Sequence, residues 1–195
     1  LAPVNAGSYT ATLTVTDPNH AADTLTATIE ITPAPVELVF GSLSHVYDGT
    51  AKSAAVTTTP AGVTGVSLSY SPDAAPTNAG TYEVEATLSN PNYALTGTTT
   101  AQLVIEKATA QIFLSNLTQV YDGTQKVVTV TTVPAALAAD VVVGYTPAVP
   151  VNVGSYAVEA VLDDHPNYEA APANGTLTSI AATIAGFEIV GDDSF

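Results

Sequence analysis

The sequence predicts an all-β chain of tandem modules of about 74 residues, and three observations carry that reading. Apolar and polar residues alternate with period two, as in Tyr9, Ala11, Leu13 and Val15 set between Thr10, Thr12, Thr14 and Thr16. The motif Val-Tyr-Asp-Gly-Thr stands at Val46 to Thr50 and again at Val120 to Thr124. Helix signals are poor: 13 prolines, 13 glycines and abundant β-branched Thr and Val disfavour helix, and no 3.6-residue apolar stripe persists.

Residues 1–34 read as the C-terminal half of a module. Asn5-Ala6-Gly7-Ser8-Tyr9 and Asp17-Pro18-Asn19-His20 match the later Asn78-Ala79-Gly80-Thr81-Tyr82 and Asn90-Pro91-Asn92-Tyr93, yet no Tyr-Asp-Gly-Thr precedes them. The alternation at Tyr9 predicts a half-buried strand. A second strand carries Leu25, Ala27, Ile29 and Ile31. These strands lack the partners that a preceding half would give. The segment therefore reads either as part of a longer protein or as strands that complete a module in a neighbouring, identical subunit.

Residues 35–107 form a full module, entered through Thr32-Pro33-Ala34-Pro35, a joint that the prolines should stiffen. Its best strand sets Tyr82, Val84, Ala86 and Leu88 against Thr81, Glu83, Glu85 and Thr87, and its closing strand carries Leu103 and Ile105. Residues 108–181 repeat the plan after the joint Lys107-Ala108-Thr109, with Tyr156, Val158, Ala160 and Leu162 on the matching strand. Two differences stand out. Pro134 followed by the alanine-rich segment to Asp140 predicts one helical turn, and the closing strand weakens to Leu177-Thr178-Ser179-Ile180, so it is expected to end differently. Residues 182–195, with Phe187, Ile189 and Val190, read as a tail or the start of a next domain.

Composition excludes several function classes. With no cysteine there is no disulfide scaffold and no thiolate metal site. The net charge of −15, with only Lys52, Lys107 and Lys126 as cations, repels phosphate backbones and anionic membranes, which argues against nucleic-acid partners and membrane insertion. No apolar run approaches the ~20 residues that span a bilayer. A high-salt habitat fits the sign of the charge but not the charged fraction of 11%.

Each full module carries four tyrosines at matching places: Tyr47, Tyr70, Tyr82 and Tyr93, then Tyr121, Tyr145, Tyr156 and Tyr168. An exposed ladder would suit sugars. Tyrosines that open strands in small sandwiches more often cap the core and satisfy their hydroxyls on nearby backbone.

The ordered set Val-Tyr-Asp-Gly-Thr-x-Lys (Val46 to Lys52, Val120 to Lys126), Pro60-Ala61-Gly62 or Pro134-Ala135-Ala136, Asn-Ala-Gly-Thr-Tyr, Pro-Asn-Tyr and Leu-Val-Ile-Glu-Lys-Ala (Leu103 to Ala108) resembles the bacterial extracellular MBG repeats of the Tyr-Gly-X type. The resemblance covers residues 1 to about 181. The chain departs from the pattern at Ala136 for Gly62, Val153 for Ala79 and His20 for Tyr93. It implies small immunoglobulin-like or β-grasp-like units in an elongated array, acting as spacers and adhesive segments of surface proteins, and it implies no catalytic residues.

The recurring motif Tyr47-Asp48-Gly49 and Tyr121-Asp122-Gly123 is turn chemistry: Asp-Gly accepts positive φ, and the Asp side chain bonds backbone two residues on. Calcium at a module joint would draw on the unpaired carboxylates Asp17, Asp23, Asp163, Asp164, Asp192 and Asp193, although no Asp-x-Asp-x-Asp-Gly loop gathers them. His20, His45 and His165 lie at turn-like positions, none recurs in every module, and no nucleophile elbow or metalloprotease helix is present, so an enzyme is not expected. Lys52 and Lys126 follow the turn and are expected at the surface, against a role in an isopeptide bond to asparagine. Asn116-Leu-Thr118 and Asn174-Gly-Thr176 fit the N-glycosylation pattern.

These readings converge on a structural or adhesive extracellular segment, a stalk or filament of a surface protein. Two alternatives remain: a ligand- or glycan-binding surface module, and a subunit that polymerises by strand exchange. Neighbouring modules, identical subunits and host or matrix glycan or protein are the partners these readings imply. Features unique to one module, Asp163-Asp164-His165 or segment 134–140, are where specific binding would sit.

Overall fold

A computed structural model describes residues 2–21, 23–72, 74–184 and 186. The chain is nearly all-β and divides into two compact units, Leu1–Glu106 and Lys107–Phe195. The strands are β1 (Gly7–Leu13), β2 (Leu25–Ile31), β3 (Ala34–Gly41), β4 (Ser44–Val46), β5 (Ala55–Thr59), β6 (Val66–Ser71), β7 (Gly80–Leu88), β8 (Tyr93–Thr96) and β9 (Thr100–Glu106). They continue as β10 (Ala108–Thr109), β11 (Gln111–Ser115), β12 (Thr118–Val120), β13 (Thr129–Val133), β14 (Val141–Thr146), β15 (Gly154–Leu162), β16 (Tyr168–Glu169) and β17 (Ala173–Ile180).

In the first full module a three-stranded sheet, ordered β5-β3-β8, faces a four-stranded sheet, ordered β4-β9-β7-β6. The alternation seen in sequence decides which side chains meet between them. Tyr82, Val84, Leu103 and Ile105 are buried with Ala54, and Phe40, Leu43, Tyr47, Leu68 and Tyr70 pack against that cluster. The outward Glu83, Glu85 and Thr87 are exposed. A second sheet, not a helix, covers the first, so these modules are sandwiches and the β-grasp alternative falls away. The opening stretch of the module is shared between sheets: β3 pairs antiparallel with β5 and parallel with β8, and after a turn at Ser42 (φ 51°) β4 pairs parallel with β9.

The second unit repeats the four-stranded sheet as β12-β17-β15-β14, while the counterpart of the three-stranded sheet is split into two pairs, β11-β13 and the short β10-β16. Its core is Val128, Tyr156, Val158 and Leu177, flanked by Leu114, Leu117, Val130, Val143 and Tyr145. The turn at Asn116 (φ 59°) matches Ser42, and cis peptide bonds before Pro60 and Pro72 recur before Pro134 and Pro147. The helical turn predicted after Pro134 is a 3-10 helix, Ala135–Asp140, with Leu137 buried. Gly62 at the matching place of the first module sits at φ 85°, a conformation that Ala136 avoids by entering the helix.

At the joint of residues 32–35 the next strand begins at once, β3 starting at Ala34, whose amide donates to Asn92 O (2.9 Å), as Ala108 donates to Asn167 O (2.9 Å). Two sequence expectations change. The last closing strand does not falter: β17 runs eight residues, and its buried departure is Ser179, whose hydroxyl has no partner among the described residues. The strand expected at Tyr9 forms and pairs with β2, Tyr9 opposite Ile29 and Leu13 opposite Leu25, yet its apolar face is not half-buried. Leu13 and Ile29 are exposed because no second sheet lies over them among the described residues. The ribbon is tied to the following module by Asn92, whose Oδ1 accepts from Ala6 N (2.7 Å) and whose Nδ2 donates to Asn5 Oδ1 (3.0 Å).

Candidate functional site

The motif that recurs most faithfully builds the same clasp twice. After β4 the chain turns at Asp48-Gly49, with Gly49 at φ 80°; after β12 it turns at Asp122-Gly123, with Gly123 at φ 82°. A side chain at these glycines would strain the backbone. Asp48 Oδ1 accepts from the Thr50 amide (2.8 Å) and hydroxyl (2.6 Å), and Asp122 Oδ1 accepts the same pair from Thr124 (2.8 and 2.6 Å). The aspartate bond to backbone two residues on is the one the sequence predicts.

Lys52 and Lys126 depart from expectation. Their side chains are only 13% and 7% exposed, while those of Asp48 and Asp122 are 55% and 59% exposed. Each lysine carries its ammonium from the module interior to the carboxylate four residues earlier. The lysine hydrogen bond first, and the threonine hydroxyl and amide after it, hold both carboxyls well below the usual aspartate range. The lysine partner is thus an ionised aspartate, in the geometry of a charge-assisted hydrogen bond.

Main chain anchors the clasp to the rest of the module. Lys52 N donates to Pro76 O (2.7 Å) and Lys126 N to Pro150 O (2.8 Å). Two residues on, Ala54 N and Val128 N each donate to a tyrosine hydroxyl, Tyr70 and Tyr145, at 3.0 Å. Tyr82 and Tyr156 in turn donate to Asn78 O (2.9 Å) and Asn152 O (2.8 Å), and Tyr9 donates to Asn5 O (2.8 Å). The rings of Tyr70, Tyr82, Tyr145 and Tyr156 lie in or against the two cores, and their hydroxyls bond backbone, as the sequence suggests.

The Pro-Asn turns hold one geometry with three chemistries. The amide two residues on is accepted by Asp17 Oδ1 (2.9 Å), by Asn90 Oδ1 (3.1 Å) and by His165 Nδ1 (3.1 Å). The amide of Asn19 first, then the His20 ring, lower the Asp17 carboxyl. His45 Nε2 bonds Ser42 O (2.9 Å) just as Gln119 Nε2 donates to Asn116 O (2.9 Å). All three histidines thus serve turns.

Of the calcium candidates, Asp163 and Asp164 are adjacent. Asp164 Oδ1 receives Lys107 Nζ at 3.1 Å, and Asp163 Oδ1 accepts the Asp164 amide at 3.0 Å. Asp192 and Asp193 lie outside the described residues. Among the described residues no group of three or more histidines and carboxylates gathers where it could hold a metal. The two features unique to the second module do meet: Ala139, Asp140 and Val142 line a shallow open depression with Asp163, Asp164 and His165. Among the described residues no helix is long and apolar enough to cross a membrane.

The MBG domain family model matches the chain three times, at residues 1–35, 36–109 and 110–183. No curated protein matches it.

Proposed function

Because the chain belongs to the MBG domain family over residues 1–183, we propose that it is a load-bearing extracellular segment of a surface protein, a non-catalytic spacer in a stalk or filament. One observation carries this reading: the residues that repeat between modules serve module architecture. Asp48, Thr50, Lys52, Tyr70 and Tyr82 and their counterparts bond one another or backbone within the module.

The topology supplies the mechanism. The chain enters a module through β3 and leaves it through β9, and the early β4 lies parallel beside the final β9. Tension on the two ends draws β4 and β9 in opposite directions along their own axes. The bonds from Val104 N to Leu43 O (2.8 Å) and from Tyr47 N to Glu106 O (2.9 Å) are then loaded together in shear rather than one after another. The second module has the same parallel pair, with Thr178 N to Leu117 O at 2.7 Å and Tyr121 N to Ile180 O at 2.8 Å.

Pulling single molecules by their ends tests this. Two discrete unfolding events are expected, each releasing about 20–25 nm, since an extended residue spans at most ~3.6 Å. Tyr47→Pro, which removes the amide that donates to Glu106, should lower the force of one event. Smooth extension without discrete events would overturn the reading. The meeting of Asp163, Asp164 and His165 with segment 134–140 favours a second reading, capture of a glycan or protein ligand by the second module, checked by screening a glycan array for binding lost in Asp163→Ala/Asp164→Ala.

A further inference from the structure

Each clasp encloses a bond that is chemically weak. An aspartate followed by glycine cyclises more readily than other aspartyl bonds, because no side chain hinders the attacking glycine amide. The chain has no cysteine and no methionine, the side chains most open to oxidation, which leaves Asp48-Gly49, Asp122-Gly123 and Asn174-Gly175 among its labile points. Asn174 and Gly175 lie within β17, paired to Glu159 and Val158. The two Asp-Gly bonds lie in exposed turns instead. Beside the α-carbon of Gly123 there is open space among the described residues, and beside that of Gly49 only the Tyr47 hydroxyl, 4.0 Å from where a side chain would begin. Neighbouring packing therefore does not shield these bonds.

Ring closure joins Gly49 N to Asp48 Cγ and needs the carboxyl in its neutral acid form. The carboxyl hydroxyl and the amide proton leave as one water, and a succinimide ring remains. Water then opens the ring. Where it cuts the bond between the Asp48 backbone carbonyl carbon and Gly49 N, the main chain runs on through Cγ as isoaspartate, one methylene longer. The clasp opposes this chemistry. The threonine amide and hydroxyl and the lysine ammonium all bond the same carboxylate, and such donors favour its charged form. In the first module Oδ1 holds Thr50 and Oδ2 holds Lys52, so loss of either oxygen breaks part of the clasp.

We propose that Lys52 and Lys126, with Thr50 and Thr124, protect the Asp-Gly bonds from cyclising, and that Asp48 and Asp122 are the sites at which an unclasped module is converted to isoaspartate. The lysine reaches the carboxylate from the module interior, its side chain 13% exposed in one module and 7% in the other, so it stays seated while the aspartate faces water. Conversion destroys what prevented it. The side-chain carboxylate becomes part of the main chain, a mostly buried ammonium loses its partner, and the turn after β4 or β12 lengthens. The inference needs only the clasp, and stands whether or not the segment bears load.

The test ages the full chain in warm neutral buffer. Isoaspartate at each site is read by peptide mapping with isoaspartyl methyltransferase labelling, and succinimide by the loss of one water. Lys52→Met/Lys126→Met, which keeps an apolar stem, should convert Asp48 and Asp122 at least about tenfold faster than the parent, in proportion to the larger neutral fraction of the carboxyl. Thr50→Ala/Thr124→Ala removes one exposed donor from each clasp and should raise the rate at least about twofold. Val84→Ala/Val158→Ala, which loosens both cores and leaves both clasps intact, should age within about twofold of the parent. Ageing of both clasp variants at the parent rate overturns the proposal. So does slower ageing of the lysine variant, since the ammonium then assists the departing hydroxyl as an acid. So does a core variant that ages as fast as the clasp variants, since folding alone then protects the bond. The threonine variant, which alters only exposed groups, decides the matter if the lysine variant does not fold.

Discussion

Lys126 carries one of three positive side-chain charges in a chain of net charge −15, and it is spent inside a module. Its pairing with Asp122, and that of Lys52 with Asp48, sets a pH dependence whose sign follows from the lowered carboxyl pKa values. The folded carboxylates hold protons less tightly than the unfolded ones. Their contribution is therefore full above the unfolded aspartate value near ~3.9, and is lost as pH falls through the folded value. Asp48→Asn/Asp122→Asn should lower Tm at about pH 7, and the gap to the parent should begin to narrow by about pH 3, where the unfolded parent binds protons that its folded carboxylates still refuse. Thermal melts at both pH values check this, and an unchanged gap would remove the ion pairs from the account. Ser179 offers the opposite case, a buried hydroxyl without a partner among the described residues, where the first module has Ile105. Ser179→Ala should raise the stability of the second module by about 1 kcal/mol, since leaving a buried hydroxyl unmet costs about 1–3 kcal/mol. Chemical denaturation reads the change.

The strands were the legible part of the fold, because one buried face per sheet writes period two into the sequence. Tyr82, Val84 and Ala86 or Tyr156, Val158 and Ala160 announce the inner face, and glutamate and threonine announce the outer. The same rule hid the split of the opening stretch between two sheets, since β3 and β4 each carry only a few inward residues and the turn uses Ser42, not glycine. The joint prolines read as a stiff boundary between modules, whereas β3 already runs through Pro35, since its other groups suffice to pair with β8. The clasp was half legible: Asp-Gly-Thr declares its turn, whereas lysine burial depends on a cavity that spacing does not reveal. Tyrosines 82 and 156 close their strands onto the loop four residues earlier. Tyr156→Phe keeps the ring and deletes that bond, so it should destabilise the second module by about 0.5–1.5 kcal/mol. Denaturant titration gives the value, and a loss above about 3 kcal/mol would mean the hydroxyl does more than anchor that loop.

At the scale of the chain, repetition was legible, but what lies over each repeat was not. Leu13 and Ile29 carry the same pattern as residues buried elsewhere, and the pattern names a face without naming its cover. Two compact units, each with its own core, make a prediction about cooperativity. Leu177 is fully buried in the second core and Leu103 in the first. Truncating either to alanine costs about 2–5 kcal/mol, against a total of roughly 4–11 kcal/mol for about 74 residues at the usual 0.05–0.15 kcal/mol each. Leu177→Ala should therefore lower one calorimetric transition strongly and leave the other near its parent temperature, and Leu103→Ala should do the reverse. A single transition displaced equally by both substitutions would mean that the modules unfold together. Tension would then be met by one barrier for the whole segment rather than by a series of separate yields, and a stalk built from it would give way all at once.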